Sequence, residues 1–196
     1  MSIQMDLVTG ALRGTAVTQG GRKLGDLKGF FLDQAAWAAM DPSLEVYRVE
    51  AFQPQPEGVP GAICCATTFL MPGEVAGEYF MTRGHYHDHP DGPELEVCVS
   101  GEGALILMDA DRNTRVEWLS PGSVHHVGPR TAHKAANTGK VPLVFISFWA
   151  SELGHDYATI VQHGFSARLL NRDGQPTLIA VDPQYSWPRT GAGCPR

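Results

Sequence analysis

The sequence predicts an all-β fold, either a sandwich or a barrel, and three observations support this. Between residues 77 and 149, short apolar segments alternate with turn residues, at intervals of about ten residues that are typical of such folds. Helical character is confined to two short segments. No internal repeat and no low-complexity linker interrupts the chain, so residues 1–196 are expected to form a single domain.

The chain before the barrel is expected to carry N-terminal strands over about residues 1–28. A short helix follows over residues 34–40, because Asp33 is a favourable N-cap. Asp41 and Pro42 then end this helix.

The barrel itself is expected over about residues 44–150. Its first two strands cover 44–52 and 62–70, which are rich in apolar and β-branched residues. The intervening 53–58 is rich in Pro and Gly and cannot extend a ladder. Later strands are separated by turns at 90–93, 101–103, 110–113, 121–122 and 137–139.

After the barrel the sequence predicts a second helix within residues 153–164. Asp156 is its candidate N-cap, and Gly164 is its candidate stop. A hairpin over 166–181 is expected to turn at 172–174. Residues 188–196 are expected to form a flexible tail.

Charge and composition exclude several classes of partner. The formal net charge is -6, and the 15 Lys and Arg residues are scattered, so neither nucleic acid nor a membrane surface is an expected partner. No secretory signal and no membrane span is visible. The four cysteines form no CxxC pair, which suits reduced thiols and a cytoplasmic location.

Three histidines and a glutamate predict a metal site. His85 and His87 lie two residues apart, so in an extended segment both side chains point to one face. Glu94, on a neighbouring antiparallel strand, is expected opposite them, and His133 arrives after a turn at 129–132. This ligand set, with positions left open, suits Fe, Mn, Ni, Zn or Co and favours catalysis over a closed structural site.

The other histidines fit this site less well. His89 continues the two-residue spacing, but Pro90 begins a loop there and is expected to turn it away. His125 and His126 lie in a strand over 123–128, where at most one can face inward. Both are interpreted as structural or surface histidines.

Several short segments extend the pattern beyond the ligands. The two longest are TRGHYH at residues 82–87, which contains two of the ligands, and GHDY at residues 154–157. Shorter matching segments are residues 72–73, 78–81, 121–122 and 132–133, together with Glu94. In these segments the chain resembles the cupin-type glucose-6-phosphate isomerases, small metal-dependent enzymes of archaea and bacteria. The resemblance runs from about residue 29 to about residue 182.

The resemblance implies a cupin double-stranded β-helix, a jelly-roll barrel with short peripheral helices. It implies a homodimer built from paired sheets and one divalent transition metal per chain, Fe(2+) first, with Mn, Ni, Zn or Co as alternatives. The implied reaction interconverts glucose 6-phosphate and fructose 6-phosphate, so the implied partner is a sugar phosphate.

The resemblance also implies roles for individual residues. The metal ligands correspond to His85, His87, Glu94 and His133, and the substrate contacts to Thr68, Thr82, Gly84, His155 and Tyr157. The chain departs from the family pattern at two positions, where Glu96 and Trp149 replace tyrosines. Both are expected to border the substrate.

Isomerisation moves a hydrogen between C1 and C2, and a carboxylate near the metal can shuttle that proton. Glu94 is the expected base. Glu96 is an alternative, because at two residues from Glu94 it faces the same pocket. His155 is a further catalytic candidate and a partner for the phosphate. A metal-assisted hydride shift stays open.

Three rival functions also stay open. A cupin dioxygenase uses a similar iron site, although the threonines and the GHDY segment suit a polar phosphate pocket better. Mannose-6-phosphate isomerisation shares the same intermediate and differs in the face on which C2 is reprotonated. A non-catalytic sugar-binding cupin would have little use for open metal positions.

Overall fold

The computed structural model describes residues 2–181, so the tail predicted at 188–196 lies outside the described residues. Strands are the main secondary structure of the described chain, which confirms the all-β prediction. The strands are β1 (Gln4–Met5), β2 (Leu12–Arg13), β3 (Val17–Lys23), β4 (Glu45–Phe52), β5 (Ile63–Leu70), β6 (Glu74–Val75), β7 (Glu78–Tyr79), β8 (Glu94–Ser100), β9 (Gly103–Met108), β10 (Thr114–Leu119), β11 (Val124–Val127), β12 (Ala132–Asn137), β13 (Leu143–Ala150), β14 (Ala167–Arg172) and β15 (Gln175–Ala180).

Four antiparallel sheets organise these strands. The largest has six strands in the order β11-β8-β13-β5-β4-β3, and a three-stranded sheet has the order β10-β9-β12. An outer sheet follows the order β15-β14-β7-β6, and β1 pairs with β2. Every residue of β9 and β12 is buried, which shows that both faces of the three-stranded sheet are covered.

The two α-helices are short and capped as the sequence predicts. Helix α1 (Gln34–Ala39) begins where the Asp33 carboxylate accepts a hydrogen bond from the Ala36 N–H at 2.8 Å. Helix α2 (Tyr157–His163) begins at the Asp156 cap and ends at Gly164. Residues 151–153 form a separate 3₁₀ turn before α2. Among residues 2–181, no helix is long and apolar enough to cross a membrane.

A buried ion pair joins the outer sheet to the segment before α1. Arg168 Nη1 on β14 lies 2.7 Å from Glu78 Oε1 on β7. The other carboxylate oxygen of Glu78 accepts the Leu32 N–H at 2.6 Å. Glu78 stands at the start of the segment that leads to the predicted metal ligands, so this pair anchors that segment from outside the barrel.

Candidate metal centre and substrate cavity

The two histidines of the HxH motif lie in an extended segment that runs alongside β12. His85 and His133 form an isolated antiparallel bridge. The His85 N–H donates to the His133 carbonyl at 3.2 Å, and the His133 N–H donates back at 3.1 Å. Their imidazole centroids are 4.3 Å apart. This backbone pairing explains how a histidine distant in sequence joins the motif.

Glu94 reaches the same point from the six-stranded sheet. The prediction that it lies on a strand paired with the histidine segment is wrong, because among the described residues β8 pairs with β11 and β13. Its Oε2 lies 3.0 Å from His87 Nε2 and 3.4 Å from His133 Nε2. The carboxylate therefore meets the imidazoles across the barrel interior.

The four predicted ligands converge on one small volume. One donor atom from each of His85, His87, Glu94 and His133 lies within 4.8 Å of the others. The Nε2 atoms of His85 and His133 are buried and make no hydrogen bond within the described chain. Buried polar atoms are normally satisfied, and an ion bound at about 2.0–2.2 Å from each donor would satisfy these. The donor set therefore fits a divalent transition metal.

The electrostatics of the cluster suit metal binding. Burial, followed by the charges of His133 and His155, lowers the pKa of His85 well below its usual range. Burial alone would raise the pKa of Glu94, but the charge of His133 and the close contacts of the carboxylate with His133 and His87 hold it well below its usual range. At neutral pH the site thus offers an unprotonated imidazole at His85 and an ionised carboxylate at Glu94.

The remaining histidines of the motif region lie outside this cluster. His89 is exposed, and its backbone N–H donates to the Leu153 carbonyl. His126 is exposed as well. His125 is buried, with Nδ1 2.9 Å from a carboxylate oxygen of Glu117 and Nε2 2.8 Å from Ser123 Oγ. The interpretation of His125 and His126 as structural or surface residues is confirmed.

A cavity of about 220 Å³ opens beside the ligands. It brings together every substrate or catalytic residue that the sequence suggested, together with three of the four ligands. The predicted residues in its wall are Thr68, Thr82, Gly84, His85, Glu94, Glu96, His133, Trp149, His155 and Tyr157. His87 borders instead a second, wider groove.

Glu96 is buried in the wall of this cavity at 3% exposure. Ser147, its direct partner on β13, hydrogen-bonds its carboxyl, while its Oε2 makes no hydrogen bond to the described residues. Burial and the charge of Glu94 raise the pKa of Glu96 well above its usual range. Two carboxyls on one strand are therefore driven towards opposite protonation states.

Gly84 allows a tight backbone approach between the histidine segment and its surroundings. It adopts a φ of 76°, and a Cβ there would lie 2.7 Å from the Phe165 ring and 2.9 Å from the His133 carbonyl oxygen. A side chain would push apart the His85–His133 bridge. Gly84 therefore allows the close pairing that holds His85 beside His133.

Two cavity-side residues were missed by the sequence reasoning. Arg83 is buried at 6% exposure and lines the cavity. Its guanidinium carbon lies 4.7 Å from the Tyr157 ring centroid and 5.5 Å from that of Phe30. Glu57 comes from the loop between β4 and β5, and its Oε1 lies 2.7 Å from His155 Nδ1. Arg83 stands inside the TRGHYH segment, a signal that could have found it, but Glu57 carries no comparable local signal.

Comparison with known families agrees with this geometry. A family model described as Glucose-6-phosphate isomerase (GPI) matches residues 21–184. The chain belongs to this glucose-6-phosphate isomerase family. Membership confirms the resemblance read from the sequence and the expectation of an isomerase, and it favours that class over an oxygenase.

Relatives within the glucose-6-phosphate isomerase family are similar over nearly their full length. The enzyme of Pyrococcus abyssi is 34% identical over 91% of this chain and 94% of its own. That of Thermococcus litoralis is 34% identical over 93% and 95%. Among solved structures, Bacillus subtilis oxalate decarboxylase is 23% identical with a TM-score of 0.43, covering 55% of this chain and 26% of its own. This chain thus spans about a quarter of that neighbour.

Proposed function

We propose that this chain is a metal-dependent isomerase that interconverts glucose 6-phosphate and fructose 6-phosphate, a step of glycolysis and gluconeogenesis. One observation carries the proposal. Three of the four metal-ligand side chains, His85, Glu94 and His133, open on the same cavity as a buried arginine and two threonine hydroxyls. Such a cavity suits a substrate with a reactive oxygen at one end and an anionic group at the other.

His85, His87, Glu94 and His133 would hold the metal, for which we propose Fe(2+), with Mn, Ni, Zn and Co as alternatives. When bound, the ion supplies Lewis acidity that stabilises negative charge developing on the C1 and C2 oxygens.

Glu94 is proposed as the group that moves the proton between C1 and C2. Its neighbours His133 and His87 keep the pKa of this carboxyl low, so it is ionised and able to accept a proton. Burial raises the pKa of Glu96, which suits a protonated carboxyl that donates a hydrogen bond to a sugar hydroxyl. The base role is therefore assigned to Glu94 and a substrate-orienting role to Glu96.

The phosphate is proposed to bind at Arg83. A buried guanidinium pairs strongly with phosphate oxygens, because its planar set of N–H donors matches their geometry. The hydroxyls of Thr68 and Thr82 line the same cavity and can add donors. Tyr157, over whose ring Arg83 lies, keeps the guanidinium plane in place.

Removing and restoring the metal tests the function. We expect fructose 6-phosphate conversion, followed with a coupled glucose-6-phosphate dehydrogenase, to vanish after chelation and to return when Fe, Mn, Zn or Ni is added singly. Mannose 6-phosphate is assayed in parallel, because Glu96 and Trp149 depart from the family pattern in the cavity wall. Full activity in metal-free protein would overturn the metal dependence, and no sugar-phosphate turnover with any ion would overturn the isomerase.

We further propose a homodimer through the outer face of the six-stranded sheet. The pairing register places Ile63, Leu95 and Val124 on the face opposite Glu94 and Glu96, and they are 65%, 39% and 60% exposed. Apolar side chains grouped on one sheet face are typical of an interface. We also propose that the protein is located in the cytoplasm, because Cys64 and Cys98 are free thiols and thiols stay reduced in that compartment.

The proposed homodimer is tested by the molecular mass of the protein in solution. Light scattering after gel filtration is expected to give about twice the 21.2 kDa of one chain, and Val124→Asp is expected to give a monomer because a charge in an apolar interface is costly. Val141→Asp is the matched control, since Val141 is 58% exposed but lies outside the strands of that sheet. A monomeric wild type, or a dimeric Val124→Asp, would contradict the proposal.

A further inference from the structure

We propose that Glu57 is a positioning residue whose carboxylate sets the orientation of the His155 imidazole and turns its Nε2 toward the substrate cavity. The inference rests on the proposed function, in which His155 contacts the sugar phosphate. Glu57 lies 98 positions from His155 in sequence, and no role for it follows from the motifs.

The hydrogen bond decides which ring nitrogen faces the carboxylate. Glu57 Oε1 lies 2.7 Å from His155 Nδ1, and an ionised carboxylate only accepts hydrogen bonds. The hydrogen bond from His155 lowers the pKa of Glu57, which keeps the acceptor ionised. Nδ1 must therefore carry a hydrogen, and Nε2 points away from Glu57.

Aromatic packing around His155 fixes the plane of its ring, but it does not determine which of the two flipped orientations the ring adopts within that plane. Its ring stacks on Tyr157 with centroids 5.8 Å apart and planes 11° apart. It meets the rings of His85 and Trp149 edge-on at 4.5 Å and 5.6 Å. A 180° rotation about χ2 keeps the same plane but places each ring nitrogen where a ring carbon was, so Nδ1 exchanges with Cδ2 and Nε2 with Cε1. Among residues 2–181, the hydrogen bond to Glu57 is the contact that distinguishes the two orientations.

The loop that carries Glu57 is anchored next to His155. The Gly58 N–H donates to the Ser151 carbonyl at 2.9 Å. Ser151 Oγ donates to the Val59 carbonyl at 2.6 Å and accepts the Ala62 N–H at 3.2 Å. Ser151 is buried and stands four residues before His155. The loop and the histidine therefore share one rigid attachment, which preorganises the carboxylate.

Hydrogen-bonding partners that orient metal-ligating histidines typically contribute 10- to 100-fold, and we expect the same range for Glu57 behind His155. In the metal-loaded enzyme, Glu57→Ala is expected to lower kcat/KM for fructose 6-phosphate by about 10- to 100-fold. Glu57→Gln keeps an oxygen acceptor of the same length and should recover part of that loss. Gln55→Ala is the control, because it shortens an exposed side chain in the same loop.

Combining the change with His155→Ala tests whether Glu57 acts through the histidine. We expect Glu57→Ala to cost nothing further when His155 is already alanine, because the two residues act as one unit. Losses that multiply in the double variant, or wild-type kcat/KM in Glu57→Ala, would overturn the proposal.

A second measurement separates this inference from the proposed function. In zinc-loaded protein with ¹⁵N-labelled histidine, the wild type is expected to show the His155 proton on Nδ1, and Glu57→Ala is expected to lose that preference. This readout needs no turnover, so it stands even if the isomerase assignment fails. An unchanged tautomer in Glu57→Ala would overturn the positioning role.

Discussion

Replacing Glu94 by glutamine is expected to lower kcat by roughly 100- to 10,000-fold, the range of an essential proton-transfer group. The change keeps the size of the side chain but removes the charge that lies 3.0 Å from His87 and 3.4 Å from His133. An amide is a poorer ligand for a transition metal than a carboxylate. Metal content per chain should therefore fall along with activity, which elemental analysis measures directly.

Glu96→Gln is the matched control for this experiment. The two glutamates share β8, face the same cavity and are both buried, so the same substitution is made twice in closely matched surroundings. Glu96→Gln should retain its metal and lose less activity, because a neutral amide can replace the hydrogen bond of a protonated carboxyl. Equal losses in the two variants, or full metal content and activity in Glu94→Gln, would contradict the assigned roles.

Arg83→Met is expected to raise KM for fructose 6-phosphate by roughly 10- to 100-fold, with a smaller effect on kcat. Methionine keeps an unbranched apolar stem between Phe30 and Tyr157 but removes the guanidinium. A hydrogen bond to a charged group contributes about 1.5–3 kcal/mol, and each 1.4 kcal/mol is about tenfold in affinity. Steady-state kinetics, with inorganic phosphate as a competing ligand, measures the loss.

Arg48→Met serves as the control for the arginine experiment. The Arg48 guanidinium also lies over an aromatic ring, 3.6 Å from the Phe69 centroid, but it borders neither the cavity nor the ligands. Its KM should stay at the wild-type value. Unchanged phosphate inhibition in Arg83→Met would show that the phosphate binds elsewhere.

The parts of the site that local sequence determines were predictable. His85 and His87 share a face because of their two-residue spacing, and α1 and α2 begin at the Asp caps that the sequence indicated. The metal ligands were predicted because a histidine pair, a glutamate seven residues after it and a distant histidine after a Pro turn rarely occur together. A resemblance to a known family then placed the cavity residues correctly.

The parts that depend on sheet order were not predictable. The sequence does not show which strands pair, so Glu94 was expected on a strand beside the histidine segment. In the structure β8 belongs to the six-stranded sheet, whereas His133 lies on β12 of the three-stranded sheet. Glu57 meets His155 through a loop contact, and no periodicity or spacing encodes such a contact. Arg83 was overlooked although it stands inside the TRGHYH segment, because the sequence does not show that its side chain is buried between two aromatic rings.

The order of strands in the six-stranded sheet has a consequence for how the chain folds as it is synthesised. Strand β13 lies between β5 and β8, so the sheet exists only as two separate pieces until residues 143–150 have left the ribosome. At typical rates of translation, β8 waits roughly 2–10 s for this partner. During that interval one edge of β5 and one edge of β8 stay open to other chains, and Glu94 is not yet held opposite His133. The nascent chain is therefore expected to need protection from aggregation before it can bind its metal.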